Sequence, residues 1–384
     1  MISIPDLTEV RRHLHRHPEL SGQEYETTAF LSGQLTAAGI PHRHGPGGVG
    51  LITEDQASSD VPIIALRADI DALPITEESE APYRSTAPGV MHACGHDAHA
   101  AMVLGATLEL HRAAALPVRW RTIFQSSEEA GQGALDMVTA GAVEGAQAIL
   151  AFHVDPALPA GHVAIVPGPQ TSCCQDFTIE VRGRGGHGAR PHLTIDPIAI
   201  AAHLLTTIYQ AIPRQTDQRR PAIVTVGQIV GGHCTNVIPD TAMLRGTIRT
   251  LDPAVSVETR ERLIRICQGV ALAFGGEIRP TFERQLNGVV NDPRLTAHCT
   301  AVAQKLLGPA HVVTEGLPSM GAEDFADYLT QVPGCMMRLG VKFPDKESTP
   351  LHTPTFDIDE SALALGARLL FSVVSEWPRQ LIPC

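Results

Sequence analysis

The sequence predicts an α/β chain of two domains, in which one domain is interrupted by an inserted ferredoxin-like β-α-β-β-α-β unit. Three observations carry this. The chain has 384 residues, more than one domain usually holds. Short apolar runs of strand length alternate with helical periodicity and end in Asp, Glu or His, the pattern of an open sheet with its site at the strand ends. Between residues 172 and 284 the rhythm changes to strand, helix, strand, strand, helix, strand. The expected boundaries are 1–171 and 287–384 for the interrupted domain and 172–286 for the insertion.

Residues 5–39 predict two helices. Pro18 breaks the first near His17. The second, over 24–38, stops at Gly39 with Pro41 beyond. His13, His15 and His17 suit a solvated helix face, since no acidic partner stands at ligand spacing. Residues 49–53 and 63–67 read as buried strands, the second running into Asp69-Ile70-Asp71. Asp71 suits either a carboxylate that orients a metal-bound imidazole or a loop cap.

The stretch Met91-His92-Ala93-Cys94-Gly95-His96-Asp97-Ala98-His99 is the chemical centre of the chain. Gly95 permits a tight turn, so the Cys94 thiolate and the His96 imidazole can meet on one metal ion. Met102, Val103, Ala106 and Leu110 then recur at helical spacing. A strand over 118–125 runs into Ser126-Ser127-Glu128-Glu129. Adjacent side chains point in different directions, so one glutamate can bind metal while the other carries a proton. The next strand, 148–152, ends in His153. Successive strand ends thus deliver metal-competent groups.

The insertion reads as strand 174–182, helix 197–212, strands 222–230 and 242–250, helix 255–274 and strand 277–284. It carries two polar loops. One is Gly185-Gly186-His187-Gly188, the other Gly231-Gly232-His233-Cys234-Thr235-Asn236. Glycines around His187 suit close approach to a ligand, or simply a turn. The last part predicts a helix over 294–307, a short strand near Val312, a helix opened by 320–325, a strand over 335–340, a loop with His352, and a helix over 360–377.

Composition narrows the function. The formal net charge of -12 disfavours nucleic acid and anionic membranes as partners. The chain is 43% hydrophobic but only 4% aromatic, so aliphatic packing builds the core. Its 8 cysteines show neither a paired framework nor CxxC. With no export signal at residues 1–6 and no apolar run of membrane length, the expectation is a reduced, cytoplasmic protein. The pair Cys173–Cys174 fits strand packing, and no second ligand pair near Cys94 suggests a structural zinc ribbon.

Taken in order, the motifs resemble the metal-dependent M20 amidohydrolases, in the subgroup of hippurate hydrolases, bacterial N-acyl-amino-acid deacylases and plant auxin-conjugate hydrolases. The resemblance spans nearly the whole length. It includes His15-Arg16-His17-Pro18-Glu19-Leu20, residues 66–74, the 91–99 cluster, Glu128-Glu129, His153, the His187 and Asn236 loops, residues 320–325 and His352-Thr353-Pro354. It implies a mixed-sheet metallohydrolase domain carrying a lid and dimerisation insertion. It implies two divalent ions, Zn2+ or Mn2+ foremost, with Co2+ or Ni2+ compatible with the same donors. Cys94, His96, Glu129, His153 and His352 match the ligand positions and Glu128 the general base. Cys94 stands where much of the wider family has a bridging aspartate. Asp69 stands where other branches often have a metal-binding histidine, a role that His96 takes over here.

The activity that the resemblance implies is cleavage of N-acyl amino acids to a carboxylic acid and a free amino acid. The cations acidify a water and polarise the amide carbonyl. His187 would stabilise the oxyanion, and Asn236 and Arg249 would hold the oxyanion or the substrate carboxylate. The expected assembly is a homodimer or higher oligomer through the insertion, with His187 reaching the neighbour's site. A dipeptidase or carboxypeptidase on the same scaffold is the alternative chemistry. A metal-containing binding protein without catalysis is the alternative class, and the presence of Glu128 with all five ligand-type residues speaks against it.

Overall fold

The structure is a computed structural model that describes residues 6–56, 61–347, 349–378 and 381. Residues 1–5 of the segment read for an export signal, and Cys384, lie outside the described residues. The chain forms two units. One holds residues 1–170, 289–317 and 323–384, the other residues 171–288 and 318–322.

The first unit is built on an eight-stranded mixed sheet. Its order is His42–His44, Leu51–Glu54, Arg119–Gln125, Ile63–Asp69, Ala146–Pro159, Gly334–Lys342, Val163–Ala164 and Val312–Val313. The four middle strands from Arg119–Gln125 to Gly334–Lys342 are parallel, and antiparallel pairs flank them. Parallel strands need helical crossovers, which cover both faces and explain the near-continuous apolar runs. On Ala146–Pro159, Leu150 and Phe152 enter one core, while Ile149 and Ala151 enter the other.

Helix His96–Arg112 crosses from Ile63–Asp69 to Arg119–Gln125 and is buried almost throughout. The terminal helix Ser361–Ser375 packs on it closely. A Cβ at Gly366 would fall 2.1 Å from Met102 Sδ, so only glycine permits this approach.

Several elements differ from the sequence expectation, among them the short strands His42–His44 and Val163–Ala164, which no apolar run marks. The strand ending in His153 continues to Pro159, because Gly334–Lys342 pairs with it past that point, with Arg338 opposite His153 and Gly340 opposite Asp155. On its other side, pairing with Ile63–Asp69 stops at Ala151, opposite Arg67, so His153 lies just past the end of that pairing. The helix expected after residue 320 is one turn, Phe325–Tyr328. A helix at Gly133–Thr139, which no long apolar period announces, packs beside that turn.

The second unit is an antiparallel four-stranded sheet in the order Ala222–Gly231, Thr241–Thr250, Cys173–Arg182 and Glu277–Phe282. Helices Pro197–Gln215 and Pro253–Phe274 complete a β-α-β-β-α-β unit. Asp196 and Asp252 cap these helices, each followed by proline at the first helical position. Phe177, Ile179 and Val181 alternate inward from the central strand against Ile200, Leu204 and Leu263. Cys173 is buried and Cys174 half-buried on that strand. Among the described residues no helix is long and apolar enough to cross a membrane.

Candidate metal centre

The 91–99 turn depends on Gly95. Its φ is +86°, and a Cβ there would lie 2.5 Å from Val154 Cγ2. The turn places Cys94 just before the His96–Arg112 helix and His96 at its first position. Around it the first unit gathers donors from elements distant in sequence. Cys94 Sγ lies 3.6 Å from His153 Nε2 and 3.3 Å from His352 Nε2. His352 Nε2 lies 3.5 Å from Glu129 Oε1, and His96 Nε2 lies 3.9 Å from Glu128 and from Glu129. Five groups of three donors result among the described residues. Two of them, Cys94–His96–His153 and Cys94–Glu129–His352, share the sulfur, and Glu128 enters two others, His96–Glu128–Glu129 and Glu128–Glu323–Asp324.

Protonation prepares these groups for a cation. His96 Nδ1 faces the backbone carbonyl of Asp71 at 2.9 Å and its carboxylate at 3.1 Å, so Nδ1 carries the proton. Nε2 is buried with no hydrogen-bond partner, as is Glu129 Oε1. Burial alone would lower the pKa of the His96 ring, but Asp69 and Cys94 hold it well above its ordinary value, so a metal ion would take the place of the Nε2 proton. His153 likewise donates Nδ1–H to the Val154 carbonyl at 2.8 Å, leaving Nε2 for a ligand. Burial pulls the His153 imidazole down to about 3, helped by neighbouring His99, so it stays neutral. Burial pushes the Cys94 thiol up to about 12. A thiol so placed ionises when a metal replaces its proton. Orphaned imidazole nitrogen, orphaned carboxylate oxygen and buried thiol together fit a divalent cation.

A layer of buried charge fixes this constellation. Asp69 accepts from His99 Nδ1 at 2.6 Å and from Arg67 at 2.6 Å. His99 Nε2 accepts the Val154 N–H at 2.9 Å, so both its nitrogens are used within the protein. Arg67 also donates to Gln125, Glu323 and Asp324. Glu128 lies over this network, with Oε1 3.4 Å from the Asp324 N–H. Burial, then Glu323 and Asp324, hold the Glu128 carboxyl well above its ordinary value, so it retains a proton readily.

Glu128 and Glu129 follow an elbow at Ser127, whose φ is +58°. This is the left-handed region, uncommon for a residue with a Cβ. Asp71 accepts the Glu129 N–H at 3.0 Å, and Glu24 accepts the Ser127 N–H at 2.8 Å.

Behind the ligand turn, the first helix corrects the expectation of a solvated histidine face. His15 is 1% exposed and sits 2.8 Å from Asp97. Arg11, also buried, donates to Asp97 at 2.7 Å and reaches Asp357 and Glu360. His13 stacks on Phe30, and of the three only His17 is exposed. The charged face of Leu7–Arg16 turns inward because carboxylates far along the chain meet it there.

The remaining candidates belong to the second unit. His187 pairs with Val237 in a two-residue ladder, and the Gly188 N–H donates to the Asn236 carbonyl at 2.9 Å. The two polar loops are therefore neighbours. His187 is exposed, and its Nδ1 accepts the Ala189 N–H at 3.0 Å, which places the proton of the neutral ring on Nε2. Arg249 is half-buried and donates to the Met320 carbonyl at 3.3 Å.

Sequence reasoning gives no role to Glu24, Arg67, Asp97, Glu323 or Asp324. Arg67, Asp97, Glu323 and Asp324 lie within the motifs 66–74, 91–99 and 320–325, which is the signal that could find them, and Glu24 has none. The first unit also has a cleft of about 260 Å³, lined by Leu158, Val166 and Val313 with Asp155 and Arg338. None of the donor residues lines it, and its link to them is Arg338, opposite His153 in the strand register.

Comparison with known proteins agrees with this geometry. Residues 65–376 match the model of peptidase family M20/M25/M40. A probable hydrolase of Synechocystis sp., sll0100, is 41% identical over 94% of this chain and 93% of its own length. N-acetyl-L-cysteine deacetylase of Bacillus subtilis is 37% identical over 95% of this chain and 86% of its own. The crystal structure of the YXEP protein of Bacillus subtilis, a dinuclear metal-binding peptidase of family M20, superposes with a TM-score of 0.84 at 33% identity, covering 96% of each chain. With a family match across most of its length and the donor groups in place, this chain belongs to peptidase family M20/M25/M40 and is a metal-dependent hydrolase of amide bonds.

Proposed function

We propose that the enzyme hydrolyses N-acyl amino acids at a binuclear centre. The observation that carries this reading is the pair of donor triads sharing Cys94, with protonatable Glu128 at their edge. Cys94, His96 and His153 would hold one cation, and Cys94, Glu129 and His352 the other. Bound divalent cations supply Lewis acidity toward the amide carbonyl and lower the pKa of water.

The chain's own residues do the rest. Glu128, free of the ligand set, takes the proton of the attacking water and delivers it to the departing amine. Its raised affinity for a proton suits the delivery step, and the charge of bound cations beside it would favour the carboxylate that the first step needs. Asp71 keeps the His96 ring in the tautomer that offers Nε2. His187 offers Nε2–H to the developing oxyanion, and Arg249 and Asn236 hold the substrate's α-carboxylate. The cleft that Arg338 lines takes the acyl group, its apolar residues Leu158, Val166 and Val313 meeting the chain of the acyl group. The enzyme works as a homodimer through its inserted unit, in the reducing cytoplasm, where Cys94 stays a reduced thiol able to give up its proton to a metal.

A panel of acetyl and benzoyl amino acids, their carboxamides and dipeptides tests this on metal-stripped protein reloaded with Zn2+, Mn2+, Co2+ or Ni2+. N-acyl amino acids should be turned over at least about tenfold better than their carboxamides, the ratio that about 1.4 kcal/mol of carboxylate recognition gives. Preference for dipeptides would establish the dipeptidase reading instead.

A further inference from the structure

We propose that Glu24, far from the donor atoms in sequence and not a ligand, is the positioning residue that holds the Ser127 elbow in its left-handed conformation and so aims Glu128 and Glu129. The inference rests on the reading of Glu128 as base and Glu129 as ligand.

Glu24 stands at the N-cap of helix Tyr25–Ala37, where the short side chains of Ser, Thr, Asp or Asn are the usual caps. Here the side chain makes no cap hydrogen bond. It is fully buried, and Oε1 instead accepts the N–H of Ser127, 103 positions away, at 2.8 Å. Oε2 is buried without any hydrogen-bond partner. A buried carboxylate with one oxygen unsatisfied is costly to keep, and its one hydrogen bond to a distant part of the chain falls on the residue with the strained backbone.

Ser127 has φ +58° without being glycine. Such a conformation persists where surrounding contacts over-determine it. Three contacts do so here. Glu24 holds the Ser127 N–H, the Ser127 carbonyl accepts the Gly133 N–H at 3.1 Å, and Asp71 holds the Glu129 N–H. Relaxing Ser127 to an ordinary φ would rotate the next two residues, so Glu128 would leave the Asp324 N–H and Glu129 would leave His352.

The test compares Glu24→Ala, Glu24→Gln and the double variant Glu24→Ala/Ser127→Gly. Two readouts apply: Co2+ affinity, followed by the thiolate-to-cobalt absorption, and kcat at saturating metal. Glu24→Ala should weaken metal binding about 10- to 100-fold, the range for lost ligand support. It should lower kcat up to about 100-fold, as misplacement by an ångström does, with KM little changed. Glu24→Gln keeps an acceptor at Oε1 and should stay near wild type. Ser127→Gly removes the steric cost of positive φ and should restore most of what Glu24→Ala loses.

Wild-type metal affinity and kcat in Glu24→Ala would overturn the proposal. So would equal losses in Glu24→Ala and the double variant, which would mark Glu24 as mere support for its helix. If Glu24→Ala does not fold, Glu24→Asp, whose carboxylate falls short by one methylene, replaces it with the same expectations. Because cobalt binding needs no substrate, Glu24 is judged even if the wild type ignores every N-acyl amino acid, an outcome that would count against the proposed function alone.

Discussion

The Asp71 carboxylate lies 3.1 Å from Nδ1 of His96 through one oxygen and accepts the Glu129 N–H at 3.0 Å through the other. One side chain thus orients a member of each triad that shares Cys94, and Ser21 Oγ steadies it at 2.7 Å. Asp71→Ala should lower metal affinity about 10- to 100-fold. Competition with a chelator of known affinity measures it. Unchanged affinity would mean that the His96 tautomer is set by the Asp71 backbone carbonyl alone.

Glu128→Gln keeps the shape of the side chain and the Asp324 N–H contact while removing the base. Metal content should stay at the wild-type value, and kcat should fall at least about 100-fold, the lower bound for losing a positioned acid–base group. Metal analysis beside steady-state kinetics checks both. Turnover near wild type in the loaded variant would assign the proton transfer elsewhere.

The Arg11–Asp97–His15 cluster predicts a stability profile with two limbs. Burial alone would raise Asp97, but Arg11 and His15 outweigh it and hold the carboxyl far below its ordinary range. The unfolded chain then binds more protons below about pH 4, so this stabilisation is lost on acidification there. Burial alone would lower His15, but Asp97 and Glu77 leave its pKa raised. That stabilisation is complete below about pH 6.5 and fades as pH rises through the folded value. Asp97→Asn should flatten both limbs and cost about 3 kcal/mol near neutrality, as removing one partner of a buried pair does. Melting of metal-free wild type and variant across pH reads it. Parallel profiles would show that the cluster contributes no linkage.

The His187 loop provides a test of assembly. His187→Ala should lose turnover and keep its metal. Mixing it with excess Glu128→Gln subunits should restore activity if the histidine serves a neighbour's centre, since a hybrid dimer then holds one site with both groups. Proven subunit exchange without recovery would confine His187 to its own chain.

How much is legible in the sequence depends on distance along the chain. Asp69, His96, Glu128 and His153 stand near the ends of apolar runs, so periodicity alone marks their neighbourhoods. Arg67 is different. It lies inside a strand and meets Glu323 from 256 positions away. Arg11 and His15 meet Asp97 from 86 and 82 positions away. On a helix, a charged face turned toward distant carboxylates has the same spacing as one turned toward water. The extension of the His153 strand is hidden similarly, because the strand that supports it arrives at Gly334.

That late arrival matters for biogenesis. As the chain emerges from a ribosome, Ala146–Pro159 is complete long before Gly334–Lys342 exists to pair with it. A 14-residue strand then waits with one hydrogen-bonding edge bare, the kind of edge on which nascent chains associate. Arg67 waits too, with Glu323 and Asp324 still unmade. Products truncated before residue 334 should therefore be insoluble and chaperone-bound, and the final stretch is what closes the sheet.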